Sequence, residues 1–221
     1  MRRLAQPEVL KSAGIGALLT TLLSYPRLSL WSVRSYPVWY LEAVVFCGSF
    51  VLWAFVFAWH TQYSQRPVCT FEIDTSWFTL ATLAGLFMGT FLYQVLDPSL
   101  RVTTPGDYPA NFEQWSAMVL FSLMFNQLFL VFAPFAWLLR LFRRKSVAFV
   151  VTVLFGVFVL AIKTRSSPQP IPAVLFAALL GVRLVIGVLS LLFYLRGGVI
   201  LVWWWGFLIQ ARHLLSLENG P

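Results

Sequence analysis

Long apolar segments separated by short polar ones run through most of the sequence. Each segment exceeds about ten residues and lacks the apolar–polar alternation of a barrel strand, so each is predicted to be a helix. A helix that crosses a bilayer needs about 20 mostly apolar residues. The pattern therefore predicts an all-α fold, a polytopic transmembrane helix bundle with six or seven spans. The segments lie at residues 9–24, 37–60, 77–96, 113–133, 146–162, 173–195 and 199–215.

The first segment, residues 9–24, decides between six and seven spans. Its uninterrupted apolar core covers only residues 13–23, which is short for a crossing of about 20 residues. The segment is either a short first span or a helix that lies in the membrane interface. The short span is the favoured interpretation, and the orientation of the chain depends on it.

Two local signals divide the later segments. Pro134 is predicted to break the fourth helix, because proline lacks a backbone N–H and its ring clashes with the preceding turn. A short segment at residues 135–142 would then follow the break and end in basic residues. Gly197 and Gly198 predict a tight turn between the last two helices.

The composition indicates that lipid, not water, is the solvent of this chain. Of its 221 residues, 59% are hydrophobic and only 11% are charged, whereas soluble domains carry about 25% charged residues. A water-soluble fold of this length has too little interior for so much apolar surface. The length suits one compact bundle, so residues 1–221 are predicted to form a single transmembrane domain.

The chain is basic, with 16 Lys and Arg against 8 Asp and Glu and a net charge of +8. These charges lie between the apolar segments, which is typical of loops that contact anionic lipid head groups. The predicted partner is therefore the lipid bilayer. Nucleic acid is excluded, because no exposed basic face remains once the spans are buried. The densest basic run is predicted to face the cytoplasm and comprises Arg140, Arg143, Arg144 and Lys145.

Cysteine and histidine give no sign of a metal site. Cys47 lies in an apolar run and Cys69 in a polar loop, so the two are not expected to pair. His60 and His213 lie near segment ends, and no His-Glu-x-x-His or clustered carboxylates accompany them. No metal and no cofactor are predicted.

Polar residues inside apolar segments are the candidates for binding, because an ionisable group at bilayer depth costs about 2.5–3.5 kcal/mol on insertion scales. Arg183 lies near the middle of the sixth segment. It would contact a substrate or ion, or it would pair with Glu42 or with carbonyls freed by a helix break. Asn126 and Gln127 are expected to form hydrogen bonds between helices, with Gln210 as a possible partner.

One run of residues resembles a known motif. It begins with Asn126-Gln127-Leu128-Phe129-Leu130-Val131-Phe132 and continues to Leu138-Leu139-Arg140. It is similar to the first motif of the CAAX-protease and bacteriocin-processing (CPBP) family of intramembrane proteases. That motif has a Glu-Glu pair, an apolar pair, Phe-Arg-Gly, and a leucine-rich stretch that ends in basic residues. Asn126 and Gln127 stand at the glutamates and Val131 at the arginine.

The other two motifs of the CPBP family have weaker counterparts. The second is Phe-x-x-x-His, where Phe155 matches and Val159 replaces the histidine. The third follows a Tyr-x-Arg-x-Gly turn, which Tyr194-Leu195-Arg196-Gly197-Gly198 resembles. In that His-x-x-x-Asn motif the aligned residues are Phe207 and Ala211, or Gly206 and Gln210 after a shift of one residue.

The resemblance, over residues 113–215, implies the frame of an intramembrane protease without its chemistry. In the family the glutamates and histidines are taken to activate a water. The amides of Asn126 and Gln127 cannot act as a general base, and Val159 and Phe207 cannot bind metal or transfer protons. The resemblance thus implies a non-proteolytic binding or scaffold protein of the bacterial inner membrane, with a membrane peptide or protein tail as its candidate partner.

Two other functions stay open at this point. An active membrane-embedded protease would have to use other residues, such as Glu42, Glu113 or His213, with two of them in one cavity. A small transporter or accessory membrane subunit would have broken helices and polar residues at mid-membrane depth. Pro134 and Arg183 fit that pattern.

Overall fold

The computed structural model describes residues 4–30, 35–165 and 171–218, which are largely helical and contain no strand. The predicted all-α class is confirmed. Seven helices can be marked in these residues. They are α1 (Pro7–Ser29), α2 (Val38–Ser64), α3 (Thr75–Thr103), α4 (Phe112–Phe142), α5 (Lys145–Arg165), α6 (residues 173–196) and α7 (residues 199–218).

Five helical segments of the described chain are long and apolar enough to cross a membrane. They are α2, α3, α4, α5 and the stretch Ala173–Leu217, which contains α6 and α7. Helix α1 has 23 residues but is not among the five. The chain therefore has the helices of an integral membrane protein. The sequence predicts six or seven spans, and the structure supports five candidates.

The last candidate span is a helical hairpin. Gly198 has φ 66° and ψ −159°, a combination that is almost confined to glycine. The indole Nε1 of Trp205 donates a hydrogen bond to Ser190 Oγ at 3.2 Å. Fifteen residues of continuous helix would separate these groups by about 22 Å, so the chain reverses direction between them. The predicted turn at Gly197 and Gly198 is confirmed, and α6 and α7 are antiparallel neighbours.

Helix α4 is continuous through Pro134, so the predicted break is wrong. The preceding turn, Leu128–Phe132, is a π-helix, and the N–H of Ala133 donates to the carbonyl of Leu128. The wider turn shifts the hydrogen-bond register just before the proline. Pro134 then occupies the first turn of the following α-helix, where its missing N–H needs no partner.

The described chain divides into two compact units. The first contains residues 1–68 and 113–148, and the second contains residues 69–112 and 149–221. In the first unit, α1 contacts α2 through small residues. A Cβ on Gly16 would lie 2.9 Å from Cγ of Trp53, and the indole Nε1 of Trp53 donates to Thr20 Oγ1 at 3.0 Å.

In the second unit, α3 and α7 lie side by side and run in the same direction. Trp204 Nε1 donates to Thr82 Oγ1 at 2.9 Å. Further along α3, a Cβ on Gly85 would lie 2.8 Å from Cβ of Leu208. This close approach carries on to the ends of both helices, where α3 and α7 bring charged side chains together.

Candidate functional site

A buried carboxylate organises the end of α3. The Asp97 side chain is 1% exposed. Arg212 Nε donates to Asp97 Oδ2 at 3.1 Å, and the Tyr108 hydroxyl donates to Asp97 Oδ1 at 2.9 Å. Each carboxylate oxygen therefore accepts one hydrogen bond from a side chain. We use the name Asp97 cluster for Asp97, Arg101, Tyr108, Arg212 and His213.

Local structure explains how these residues meet. Pro98, after Asp97, sits in the first turn of the last α-helical stretch of α3, where proline is tolerated. A 3-10 turn at Pro105–Asp107 then follows the end of α3, and Tyr108 comes next. Arg212 lies one turn beyond Leu208, whose carbonyl oxygen would be 3.2 Å from a Cβ on Gly89. The small residues of α3 thus let α7 approach closely enough for the ion pair.

Arg101 lies one helical turn after Asp97. Its Cζ is 5.3 Å from the ring centroid of Tyr108 and 5.9 Å from that of Tyr93, which is cation–π geometry. Its Nε and Nη2 atoms are buried and have no hydrogen-bond partner among residues 4–30, 35–165 and 171–218. A buried donor without a partner costs about 1–3 kcal/mol, and more when the group is charged.

His213 completes the cluster. It is 4% exposed, and its ring meets the edge of the Tyr108 ring at a centroid distance of 5.3 Å. Its Nδ1 is buried and has no hydrogen-bond partner within the described part of the chain. Arg101 and His213 thus flank the same tyrosine, and each has buried polar atoms without a hydrogen-bond partner within the described residues.

The cluster has more positive than negative charge. Two guanidinium groups surround one carboxylate, which leaves a net charge of +1 with His213 neutral. Burial and the Asp97 carboxylate both raise the pKa of Tyr108 above its ordinary value, so its hydroxyl stays protonated and donates. Near the cluster, Lys163 and Asp107 form an exposed ion pair at 3.0 Å, which contributes little to stability.

The residues with counterparts in the CPBP motifs are not members of this cluster. In the first unit, Asn126 and Gln127 are half-buried on α4, and Val131 is buried. In the second unit, Val159 is half-buried on α5, and Phe207 and Ala211 are half-buried on α7. Phe207 stacks on Trp204 at a centroid distance of 6.1 Å. The convergence of these positions on one cleft stays a prediction.

Arg183 contacts a backbone carbonyl of α5. Helix α5 is continuous there, so this carbonyl is not one freed by a helix break, and the predicted partners of Arg183 stay predictions. Arg183 Nε donates to the carbonyl of Gly156 in a long hydrogen bond of 3.4 Å. A Cβ on Gly156 would lie 3.1 Å from Arg183 Nη2, so the absence of a side chain makes room for the guanidinium. Glu42 is half-buried on α2, and Gln210 is half-buried on α7. The partners predicted for Glu42 and Gln210 stay predictions.

Sequence reasoning missed the Asp97 cluster. The apolar pattern ends the third segment at residue 96, before Asp97 and Arg101. The available signal was their spacing of four, which places both on one face of a helix. The described residues contain no group of three His, Cys, Asp or Glu side chains that could hold a metal ion.

Comparison with known proteins identifies no relative of this chain. No protein-family model matches the sequence. No curated protein and no solved structure matches it either. The resemblance to the CPBP family therefore rests on the sequence motifs alone.

Proposed function

We propose that this integral membrane protein binds an anionic group of a membrane molecule at the Asp97 cluster and does not cleave it. The observation that carries this proposal is the state of Arg101. Two of its nitrogen atoms are buried without a hydrogen-bond partner in the described chain, next to a carboxylate each of whose oxygens already accepts one hydrogen bond from another side chain.

Phosphate and carboxylate groups fit this arrangement. A guanidinium presents its N–H groups as a planar fork that matches either anion, and a charge-assisted hydrogen bond is stronger than a neutral one. A bound anion would offset the net positive charge and accept hydrogen bonds from Arg101. His213 Nδ1, buried beside the same tyrosine, would supply a further polar contact.

The depth of the cluster favours a ligand that belongs to the membrane. Asp97 lies 22 residues after Thr75, the first residue of α3, which is about 33 Å along a helix. The hydrocarbon core of a bilayer is about 30 Å thick. Asp97 and Arg101 thus reach the level of the head groups. The ligand would be a lipid head group, or the carboxylate of a membrane peptide or protein tail.

Binding without catalysis fits the chemistry of the cluster. Asp97 accepts hydrogen bonds from a guanidinium and a phenol, so it is poorly placed to act as a general base. The absence of catalysis also agrees with the amide and apolar residues that stand at the catalytic positions of the CPBP motifs. The proposal also includes a CPBP-like helix bundle with six or seven spans in a bacterial inner membrane, and the resemblance to the CPBP motifs supports it.

A transporter role has less support, because the helix break expected at Pro134 is not present and α4 is continuous.

The experiment compares the thermal stability of the purified protein with anionic and zwitterionic short-chain lipids. Phosphatidic acid and phosphatidylglycerol should raise the melting temperature of the wild type more than phosphatidylcholine does, since a ligand at about 100 times its Kd adds about 2.7 kcal/mol. Arg101→Gln should reduce this difference. Arg165→Gln removes one exposed charge from the same unit and should retain it.

Two results would contradict the proposal. The first is an anionic stabilisation that Arg101→Gln leaves unchanged. The second is an equal loss in Arg101→Gln and Arg165→Gln, which would show an effect of overall charge. A free carboxylate amphiphile in the same assay separates the two ligand classes, because a carboxylate site would respond to it as strongly as to the phospholipids.

A further inference from the structure

The first unit has a basic end that the proposed site does not use. We define this basic end as Arg66, Arg140, Arg143, Arg144 and Lys145. It lies where α2 and α4 terminate side by side. Lys145 Nζ donates to the carbonyl of Ser64, the last residue of α2, at 3.2 Å. Arg140 Cζ lies 4.3 Å from the ring centroid of Trp59.

These two contacts give the basic residues different roles. Arg140 and Lys145 hold the end of α4 against the end of α2. Arg143 has φ 53° and closes α4 in the left-handed conformation. Arg143 and Arg144 are both exposed, as is Arg66. The charges of these exposed residues therefore lie on the surface of the basic end, whose position against α2 is held by Arg140 and Lys145.

The sequence around this end has no acidic residue. Residues 43–71 and 114–148 contain no aspartate or glutamate. Five positive charges thus gather in two sequence stretches without a single acidic residue. Such an excess favours a negatively charged partner.

The neighbouring apolar residues indicate which partner that is. Trp137, Leu141 and Phe142 occupy the last turns of α4 and are 47%, 59% and 42% exposed. Exposed aromatic and aliphatic side chains beside arginines are typical of the boundary between hydrocarbon and head groups. Helix α4 has 31 residues, or about 46 Å, enough to reach through that boundary. An acidic soluble protein or a nucleic acid would leave these apolar side chains in water.

We infer that the basic end binds the phosphates of anionic phospholipids in the leaflet that it faces. Arg143 and Arg144 contact the head groups, while Trp137, Leu141 and Phe142 lie against the upper parts of the acyl chains. This site is separate from the Asp97 cluster, because it belongs to the other unit and uses none of the same residues.

Spin-labelled lipids test the inference in reconstituted vesicles of phosphatidylcholine. Electron paramagnetic resonance gives the association constant of labelled phosphatidylglycerol relative to labelled phosphatidylcholine. Each basic residue near a charged surface contributes about 1 kcal/mol, or about fivefold. We expect a preference of at least about fivefold for phosphatidylglycerol in the wild type, weakened by 1 M salt. In the double variant Arg143→Asn/Arg144→Gln most of this preference should be lost, and what remains should depend on Arg101.

Asparagine is chosen at position 143 because it tolerates the left-handed conformation there. The control is Lys163→Gln/Arg165→Gln, which removes two exposed charges at the end of α5 in the second unit. It should keep the preference, as should Arg143→Lys/Arg144→Lys. An unchanged preference in the Asn/Gln variant would overturn the inference, and so would an equal loss in the Lys163/Arg165 control. Stabilisation that depends on Arg101 should persist in the Asn/Gln variant, so the two proposals can fail separately.

Discussion

Asp97 is the residue on which the charged cluster depends. Removal of its charge leaves Arg212 buried without its counter-ion, and breaking one side of a buried pair costs about 3–5 kcal/mol. We expect Asp97→Asn to lower the free energy of unfolding by about that amount in a reversible detergent titration.

The double variant Asp97→Asn/Arg212→Gln removes both charges. It should lose less stability than the sum of the two single variants, because neither partner is left unpaired. Additive losses would show that Asp97 and Arg212 do not stabilise the fold as a pair.

Tyr108 gives the cluster an alkaline pH dependence. Its pKa is raised above the usual value of about 10 by burial first, and then by the Asp97 carboxylate. The folded phenol therefore keeps its proton while the unfolded phenol ionises. Its contribution to stability is complete below pH 10 and declines as the pH rises further. The wild type should be more stable than Tyr108→Phe at pH 8, and the difference in melting temperature should shrink above pH 10. A difference that stays constant up to pH 11.5 would contradict this account of Tyr108.

There is a physical reason why the sequence alone does not indicate this cluster. Asp97, Tyr108 and Arg212 are brought together by the relative register of α3 and α7, over a separation of 115 residues for the ion pair. Hydrophobic periodicity describes each helix alone and contains no information on that register. Arg183 was identified from sequence, because a single charge inside an apolar segment is a local signal.

At the scale of helices, the turn between α6 and α7 has the strictest requirement for one residue type, a glycine at position 198. Gly198 has φ 66° and ψ −159°, where any other residue is strained by about 1–3 kcal/mol. Gly198→Ala should destabilise the protein by that amount. The control is Gly181→Ala on α6, where an added Cβ meets nothing within 4 Å. It should be neutral or slightly stabilising, since alanine is the better helix former. Equal effects of the two substitutions would contradict the hairpin.

The contact between α3 and α7 makes a second prediction for these helices. A Cβ on Gly85 would lie 2.8 Å from Cβ and 2.9 Å from Cδ1 of Leu208. Gly85→Val should separate the helices and destabilise the fold by about 1–3 kcal/mol or more, as expected for overpacking. Gly85→Val/Leu208→Ala should recover part of the loss. Recovery is measured by unfolding in detergent, and its absence would show that the two residues are not in contact.

Most helices were predictable from the sequence, because a long apolar segment and a glycine pair act locally. The third segment was predicted to end at residue 96, yet α3 continues to Thr103. The extension is polar and amphipathic, so hydropathy alone ends too early. The predicted break at Pro134 is wrong, because the π-helical turn before it shifts the hydrogen-bond register and the missing N–H of the proline needs no partner. Such a turn depends on packing around the helix and has no clear sequence signal.

For the whole molecule, the number of spans sets the sides on which its ends lie. Seven spans place the two termini on opposite sides of the membrane, and six place them on the same side. The hairpin of α6 and α7 counts as one of the five candidates. If each of its two helices crosses the membrane, the number of crossings rises by one. We expect reporter fusions at each end to give opposite sides, the result for seven spans. Reporters on one side would show that α1 lies in the interface.

The most direct test of the proposed function is an experimental structure in nanodiscs that contain anionic phospholipid. The region to inspect is the space around Arg101 Nε and Nη2, beside Tyr108 and His213. We expect non-protein density within hydrogen-bond distance of the Arg101 guanidinium, with the Asp97–Arg212 pair intact. A guanidinium whose N–H groups all bind protein atoms, with no ligand beside it, would contradict the anion site and give Arg101 a structural role only.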